Sequence, residues 1–337
     1  MAANWHPVDL PEASFLASQE IVAFKEVVES FLAIFPEPYF QYLRIADVTL
    51  AVSCPPGMRL QNQDPLYRIF FANADHGNNN SRIGVRLVLG RMPDLSRLQK
   101  LFDTRESWTI YGSASGYWLS LHPTVHLQPF WIARFDRRAN WAIVYCRSFL
   151  AGAGEKKHDL ANPICYPLDQ LLLMYFLAPR RGILTHAAGV VRGGRAMIFP
   201  GCSGAGKSTF SELLAAAKVG KLLSDERMII REIDGTMRAF GTPWAGTAGI
   251  ARNADAPLAG IYFLKHCPNN HIEKLAAGDA LDKLLPLISI PWYDPDTMSR
   301  IIAFAKHLVA KVPVYEMSFK PDRSAVDFFW QFQKTLS

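Results

Sequence analysis

Apolar side chains recur at helical spacing in a few long stretches of this chain and at strand spacing in many short ones. Ile21, Phe24, Val28, Phe31 and Leu32 share one side of a helix predicted over residues 19–34. The period then changes. Residues 47–53, 68–72, 82–89, 108–111, 117–121 and 141–147 are short and rich in β-branched or aromatic side chains. They are separated by turn formers such as Asn78-Asn79-Asn80 and the glycines at 112 and 116, which predicts strands. Residues 151–162 combine Gly, Lys and Asp without periodicity and are expected to be a linker. The pattern predicts an α+β domain with an antiparallel sheet over residues 1–164, followed by a second domain over 165–337.

The second domain opens with an apolar helix over 167–177, closed by Pro179. Residues 183–191 and 195–199 flank Gly193-Gly194 and predict a hairpin. Phe210, Leu213, Leu214 and Ala217 recur at i, i+3, i+4 and i+7 of a helix over 209–218, with Gly220 placed to end it. A further hairpin is expected from 221 through 231, turning at Asp234-Gly235 and returning along 237–240. Strands are expected at 260–264 and 271–275, flanking Pro268-Asn269-Asn270, and a helix at 278–285. Met298, Ile301, Ile302, Ala305, Leu308 and Val309 mark a helix over 295–311, with Asp294 as its cap and Pro295 in its first turn. A strand over 314–319 and a helix over 322–333 close the chain. No internal repeat or low-complexity segment interrupts this order.

The chain has 337 residues, 50% hydrophobic and 20% charged, enough for two cores of ordinary domain size. Residues 1–9 lack a basic segment leading into an apolar core, and no apolar stretch approaches the ~18 residues of a membrane span. No membrane association is expected. Cys54, Cys146, Cys165, Cys202 and Cys267 are scattered and without C-x-x-C spacing, so neither a disulfide framework nor a zinc site is indicated, and a cytoplasmic location is expected. His122 and His126 flank Pro123 and share no helix face, which removes them as a metal pair. Residues 1–164 carry 16 basic and 15 acidic side chains, leaving 20 and 15 for 165–337, so the net charge of +6 belongs mostly to the second domain. No basic block or basic stripe interleaved with aromatics accompanies it, and nucleic acid is not an expected partner.

The run Gly201-Cys202-Ser203-Gly204-Ala205-Gly206-Lys207-Ser208 fits G-x-x-x-x-G-K-[ST] and lies between a predicted strand and a predicted helix beginning at Thr209. In that context the glycines let successive backbone N–H groups face one anion, while Lys207 reaches the outer phosphates and Ser208 offers a hydroxyl to Mg²⁺. The helix that follows directs its positive end to the same place. Phosphoryl transfer further requires a carboxylate near such a loop. Asp225 and Glu226 are the candidates, where apolar Leu222-Leu223 gives way to Ser224-Asp225-Glu226-Arg227. One could hold Mg²⁺ and the other accept a proton; the alternative is an exposed turn paired to Arg227. His186 precedes the loop on the neighbouring strand, as a proton carrier or as a satisfied core histidine. Phe240-Gly241-Thr242-Pro243-Trp244-Ala245-Gly246 reads either as a packed turn or as a loop that stacks on a substrate or base. Arg252 is a candidate for offsetting transition-state charge.

Thr185-His186-Ala187, the Gly193-Gly194 hairpin, residues 201–209 and Leu223-Ser224-Asp225-Glu226 resemble, in order and spacing, the HPr kinase/phosphorylase C-terminal-like family, whose fold is similar to that of phosphoenolpyruvate carboxykinase. The resemblance covers about half the chain. It implies an α/β domain of phosphate-loop type with a mixed sheet and ATP and Mg²⁺ as cofactors. It also implies catalytic roles for His186 and Asp225, and metal contacts from Ser208 and Glu226. Glu226 stands where the family usually has a second aspartate, and the arginine-glycine signature of true HPr kinases has no clean counterpart. The Gly-Thr-Pro-Trp segment and the long first domain look more like divergent HPr-kinase-like proteins of peptide modification. The expected activity is transfer of the γ-phosphate to a hydroxyl, serine foremost, of a small protein or peptide. A nucleotide-binding regulatory module and a small-molecule kinase are the alternatives, and homo-oligomerisation stays open.

Overall fold

The computed structural model describes residues 39–55, 58–61, 64–72, 81–90, 92–122, 129–147 and 159–336. The helix expected over 19–34, the Asn78–Asn80 turn, His126 and most of the 151–162 segment lie outside them. The chain is mixed α+β with mixed sheets. It divides into two compact units, one from residues up to Leu43 with Thr49–Gln63 and Asn73–Leu172, the other from Arg44–Val48, Asp64–Ala72 and Leu173 onward. The division near residue 164 read from the sequence thus falls close to Leu172. The two short early pieces that belong to the later unit carry no signal in the hydrophobic pattern.

The N-terminal half runs β1 (Tyr39–Ile45), β2 (Val48–Cys54), β3 (Arg59–Gln61), the one-turn helix α1 (Pro65–Arg68), β4 (Phe71–Ala72), β5 (Arg82–Leu89), β6 (Gln99–Asp103) and β7 (Trp108–Ser113). It continues through β8 (Gly116–Leu121), β9 (Trp131–Asp136), β10 (Trp141–Cys146) and β11 (Asp159–Ala161). The strand expected over 68–72 is replaced by α1 and the two-residue β4, because Asp64 accepts from Leu66 N at 2.8 Å and Pro65 sits in the first turn. In the first unit the strand order is β1, β2, β5, β10, β9, β8, β7, β6. β5 lies parallel to both β2 and β10, so this sheet is mixed and not antiparallel as expected. Period-2 alternation is the same in both pairings. The long connections on either side of β5 permit the parallel one, as a hairpin would not. Trp118 and Tyr145 stack at 6.1 Å in this unit's core, and buried Arg134 lies over the Trp118 and Trp141 rings while donating to Ser115 Oγ at 2.8 Å.

The second unit contains the end of α2 (Leu168–Leu177), β12 (Gly182–Arg192), β13 (Arg195–Pro200), α3 (Lys207–Ala217), β14 (Lys221–Ser224), β15 (Arg227–Ile233) and β16 (Thr236–Phe240). β17 (Asp255–His266), β18 (His271–Lys274), α4 (Ala277–Leu284), α5 (Pro295–Lys311), β19 (Val314–Phe319) and α6 (Arg323–Thr335) complete it. β12 changes partners partway along its length. Gly182–His186 pairs antiparallel with β15, whereas Ala187–Arg192 pairs antiparallel with β13 on one side and, from Gly189, with β14 on the other. β17 changes partners too, pairing antiparallel with β16, then parallel with β13 and β19. Pairing therefore runs β13, β12, β15, β16, β17 and back to β13. β17 and β18 both pair with β19 and not with each other. The two early pieces are tied into this unit by Arg231 Nη1, which donates to Ala46 O at 2.5 Å, and by Asn253 Nδ2, which donates to Ile69 O at 3.2 Å.

α3 and α6 cover the β13–β17–β19 sheet. Phe210, at the start of α3, is fully buried with its ring 5.0 Å from Phe199, 5.4 Å from Phe319 and 5.7 Å from Phe329. Burial of such a ring is worth about 2–3 kcal/mol, and each edge-to-face pair adds about 0.5–1.5 kcal/mol. The first turn of α3 is thereby fixed against the sheet. Phe210→Ala should lower unfolding free energy by about 3–5 kcal/mol in urea titration. A loss under about 1 kcal/mol would show that the ring does not hold this helix in place.

Candidate functional site

The parallel strands β13, β17 and β19 end together, at Pro200, His266 and Phe319. Carboxyl ends of parallel strands are where such sheets commonly form a ligand crevice. The loop 201–208 leaves β13 at that edge and passes into α3, whose capping residue Gly206 has φ +96° and no side chain closing the first turn. A Cβ on Gly206 would lie 2.9 Å from Phe319 Cζ and 3.0 Å from His266 Nε2, so a side chain is excluded by backbone angle and by space. The first N–H groups of α3 lack a side-chain acceptor, an arrangement suited to an anion.

A cavity of about 670 Å³ opens there, lined by Cys202, Ser203, Gly204, Gly206, Lys207, Ser208 and Thr209 together with His186, Asp225, Glu226, Ala245, Gly246, Thr247 and His266. Of the loop residues proposed from the sequence, Gly201 and Ala205 lie behind this lining, and Ala205 N donates to Cys202 O at 3.2 Å. Lys207 is buried, and its ammonium donates to Gly201 O at 2.6 Å and Cys202 O at 3.2 Å. Burial depresses its pKa, with Glu226 pulling in the opposite direction.

His186 and Glu226 meet because β12 changes partners between them. His186 O accepts from Gly201 N at 3.1 Å, and the next amide, Ala187 N, donates to Glu226 O at 3.0 Å. His186 Nε2 lies 3.0 Å from Glu226 Oε1, but its N–H is not aligned on that oxygen. The contact is a close electrostatic one and not a well-formed hydrogen bond. Burial, and then the Lys207 charge, lower the His186 pKa, while Glu226 raises it. The net shift is downward, which favours the neutral imidazole. Arg227, paired in register with His186, depresses both His186 and Lys207 and donates to Ser289 Oγ at 3.2 Å. The sequence offered Arg227 only as a partner for the acids. His266, whose ring lies 4.8 Å from that of Phe319, carried no motif at all.

Asp225 and Glu226 form the two-residue link between β14 and β15 and do not lie on one strand. Asp225 is buried. Its Oδ1 accepts from Gly246 N at 2.9 Å and Ile250 N at 3.2 Å, and its Oδ2 from Ala248 N at 2.8 Å. Both oxygens thus hold residues 246–250, and Oδ2 keeps one lone pair for a further partner. A Cβ on Gly246 would meet Asp225 Oδ2 at 3.0 Å and Glu226 Oε2 at 3.2 Å. Trp244 is buried, as is Thr242, whose hydroxyl donates to Arg227 O at 2.5 Å. The 240–246 run is accordingly packed at Trp244 and presents only Ala245 and Gly246 to the cavity, with Thr247 following them. Arg252 does not line the cavity, and its Nε donates to Leu222 O at 3.0 Å.

No protein-family model and no curated protein matches this chain. Among the described residues no group of three or more His, Cys, Asp or Glu forms a ready metal cage. Ser208 and the half-exposed Glu226 share the cavity, and one hydroxyl with one carboxylate fits Mg²⁺, which takes most of its remaining ligands from phosphate and water. Asp225 fits less well, since three amides already occupy three of its carboxylate's roughly four lone-pair positions. All five cysteines are free thiols, and no helix among the described residues is long and apolar enough to cross a membrane.

Titration of His186 followed by NMR should give a pKa below 6.5. Glu226→Gln should lower it further and Lys207→Met should raise it; shifts of opposite sign would contradict this electrostatic arrangement. The corresponding stability is present above pH 6.5 and is lost as pH falls below it, because the unfolded chain then binds the proton more readily. In Asp225→Asn a side-chain NH₂ would face one of the three amides, so hydrogen exchange at Ala248 and its neighbours should accelerate by about tenfold or more. Unchanged protection would mean that these amides are held by something else.

Proposed function

We propose that this protein is an ATP- and Mg²⁺-dependent phosphotransferase of HPr-kinase-like, phosphate-loop type that passes the γ-phosphate to a hydroxyl. The observation that carries the proposal is the single cavity in which the 201–208 loop, His186, Asp225 and Glu226 converge. In this reading the loop amides and Lys207 hold the triphosphate, and Lys207 exchanges its two loop carbonyls for phosphate oxygens. Mg²⁺, when bound, neutralises charge on the phosphates, and Ser208 and Glu226 are the residues that fit it.

The acceptor hydroxyl must lose a proton as it attacks. His186 borders the cavity and its lowered pKa favours the neutral ring; in this reading it takes that proton, and nearby Glu226 stabilises the resulting imidazolium. Asp225 orders residues 246–250 along the same cavity, a positioning role. The acceptor class, a serine-bearing small protein or peptide, rests on the motif resemblance and not on the shape of the cavity.

A regulatory nucleotide-binding module is the second reading, and the three amide bonds on Asp225 favour it. Incubation with γ-labelled ATP and Mg²⁺ against serine peptides and free hydroxylated metabolites separates the possibilities. Label should appear on an acceptor, disappear with Lys207→Ala, and fall by about 10²–10⁴-fold with His186→Gln, as expected on losing a general base. Persistence of transfer in Lys207→Ala would refute the assignment. ATP binding with no labelled acceptor would select the regulatory reading.

A further inference from the structure

A second cavity, of about 500 Å³, lies in the same unit at the opposite end of β13. Arg195 and Met197, near the start of the strand, line it, whereas Cys202, just beyond the strand's end, lines the first cavity. At ~3.3 Å per strand residue the two lie roughly 20 Å apart. Its volume is in the range of small-molecule sites, about 300–1,000 Å³.

The lining separates by chemistry. Met197, Leu258, Val312, Tyr315 and Trp330 are buried and give an apolar floor. The exposed mouth carries Arg192, Arg195, Lys311 and Lys334, and no Asp or Glu lines the cavity. Lys311 is committed, donating to Glu232 Oε1 at 2.7 Å and to Gly235 O. Arg192 spreads its guanidinium over the Trp330 ring, 4.5 Å from the centroid, which fixes its plane without neutralising its charge. Among the described residues, no carboxylate forms an ion pair with Arg192, Arg195 or Lys334. Three cations from the β12–β13 turn and the end of α6 thus line an apolar hollow that, among the described residues, holds no carboxylate.

We propose that this cavity is a second ligand site, for a small organic phosphate monoester. Arg192, Arg195 and Lys334 would bind the dianion, and the ester's carbon skeleton would lie on the Leu258, Val312 and Tyr315 floor. A dianion offsets the convergent positive charge better than a single carboxylate, and forked guanidinium N–H groups suit phosphate oxygens. The floor explains why an ester is preferred over the bare ion. The site does not depend on the function proposed for the first cavity.

Phenyl phosphate serves as the probe, titrated calorimetrically into the full chain carrying Lys207→Ala, so that the 201–208 loop does not compete. One equivalent should bind, at least about tenfold more tightly than inorganic phosphate or phenol alone. The doubly reversed Arg195→Glu/Lys334→Glu chain should lose at least about tenfold in affinity while keeping its far-ultraviolet circular dichroism and melting temperature, since both side chains are exposed. Affinity equal to that for inorganic phosphate would reduce the site to an adventitious ion only and overturn the proposal. Equal affinity in the reversed chain, or no binding of phenyl phosphate at millimolar concentration, would overturn it as well. If the reversed chain loses its fold, Arg195→Gln alone provides the same comparison with a smaller expected loss of about threefold.

Discussion

Everything at the candidate site follows from one strand serving two sets of neighbours. β12 leaves β15 at His186 and takes up β13 and β14 beyond it, and at that switch its backbone groups are shared out. His186 O receives the amide of Gly201 and Ala187 N reaches Glu226 O, so one peptide unit fixes the entry to the 201–208 loop and the second carboxylate together. Backbone hydrogen bonds of this kind cannot be left unmade inside a protein, because each buried group without a partner costs about 1–3 kcal/mol. The geometry of the candidate site is therefore not adjustable independently of the sheet.

The charged groups around the switch are compensated by neighbouring dipoles. Lys207 is buried, yet its ammonium rests on two loop carbonyls, and Asp225 is buried, yet three amides surround its carboxylate. Each charge has found neutral dipoles in place of an opposite charge. Burying a charge demands such compensation, and dipoles give it without the loss of reactivity that a direct Lys–Asp ion pair would bring. Glu226 is left as the more available acid, beside an imidazole whose pKa is lowered. The division of labour between two consecutive carboxylates thus comes from where their neighbours' N–H groups point.

The aromatic cluster on the other side of α3 fixes the first turn of that helix, where the loop ends. Phe210 is three residues beyond Lys207, and its ring is enclosed by Phe199, Phe319 and Phe329 from β13, β19 and α6. Phe319 also closes the space beside Gly206 and lies tilted against the His266 ring. One residue therefore serves the core with one edge and shapes the site with the other. At the far end of β13 the same unit gathers cations over an apolar floor, so the strand has a charged cavity at each end.

Local pattern alone determined much of this molecule. The spacing of Met298 through Val309, with Asp294 before it, placed α5 at Pro295–Lys311, and the two-glycine turn placed the β12–β13 hairpin, because caps, turns and periodicity act over a few residues. The glycine-rich loop with its lysine was legible for the same reason. Partner choice was not. Alternation along β5 is identical for parallel and antiparallel neighbours, so the mixed order of the first sheet had to come from the fold. The inclusion of Arg44–Val48 and Asp64–Ala72 in the second unit is equally silent in the pattern, since it rests on single bonds such as Arg231 to Ala46 O. Sequence named Asp225, Glu226, His186 and Arg252 as candidates from residue type. Only the tertiary structure decided that Asp225 holds a loop, that Glu226 faces His186 and that Arg252 lies elsewhere, because those roles depend on which distant N–H groups and charges come within about 3 Å.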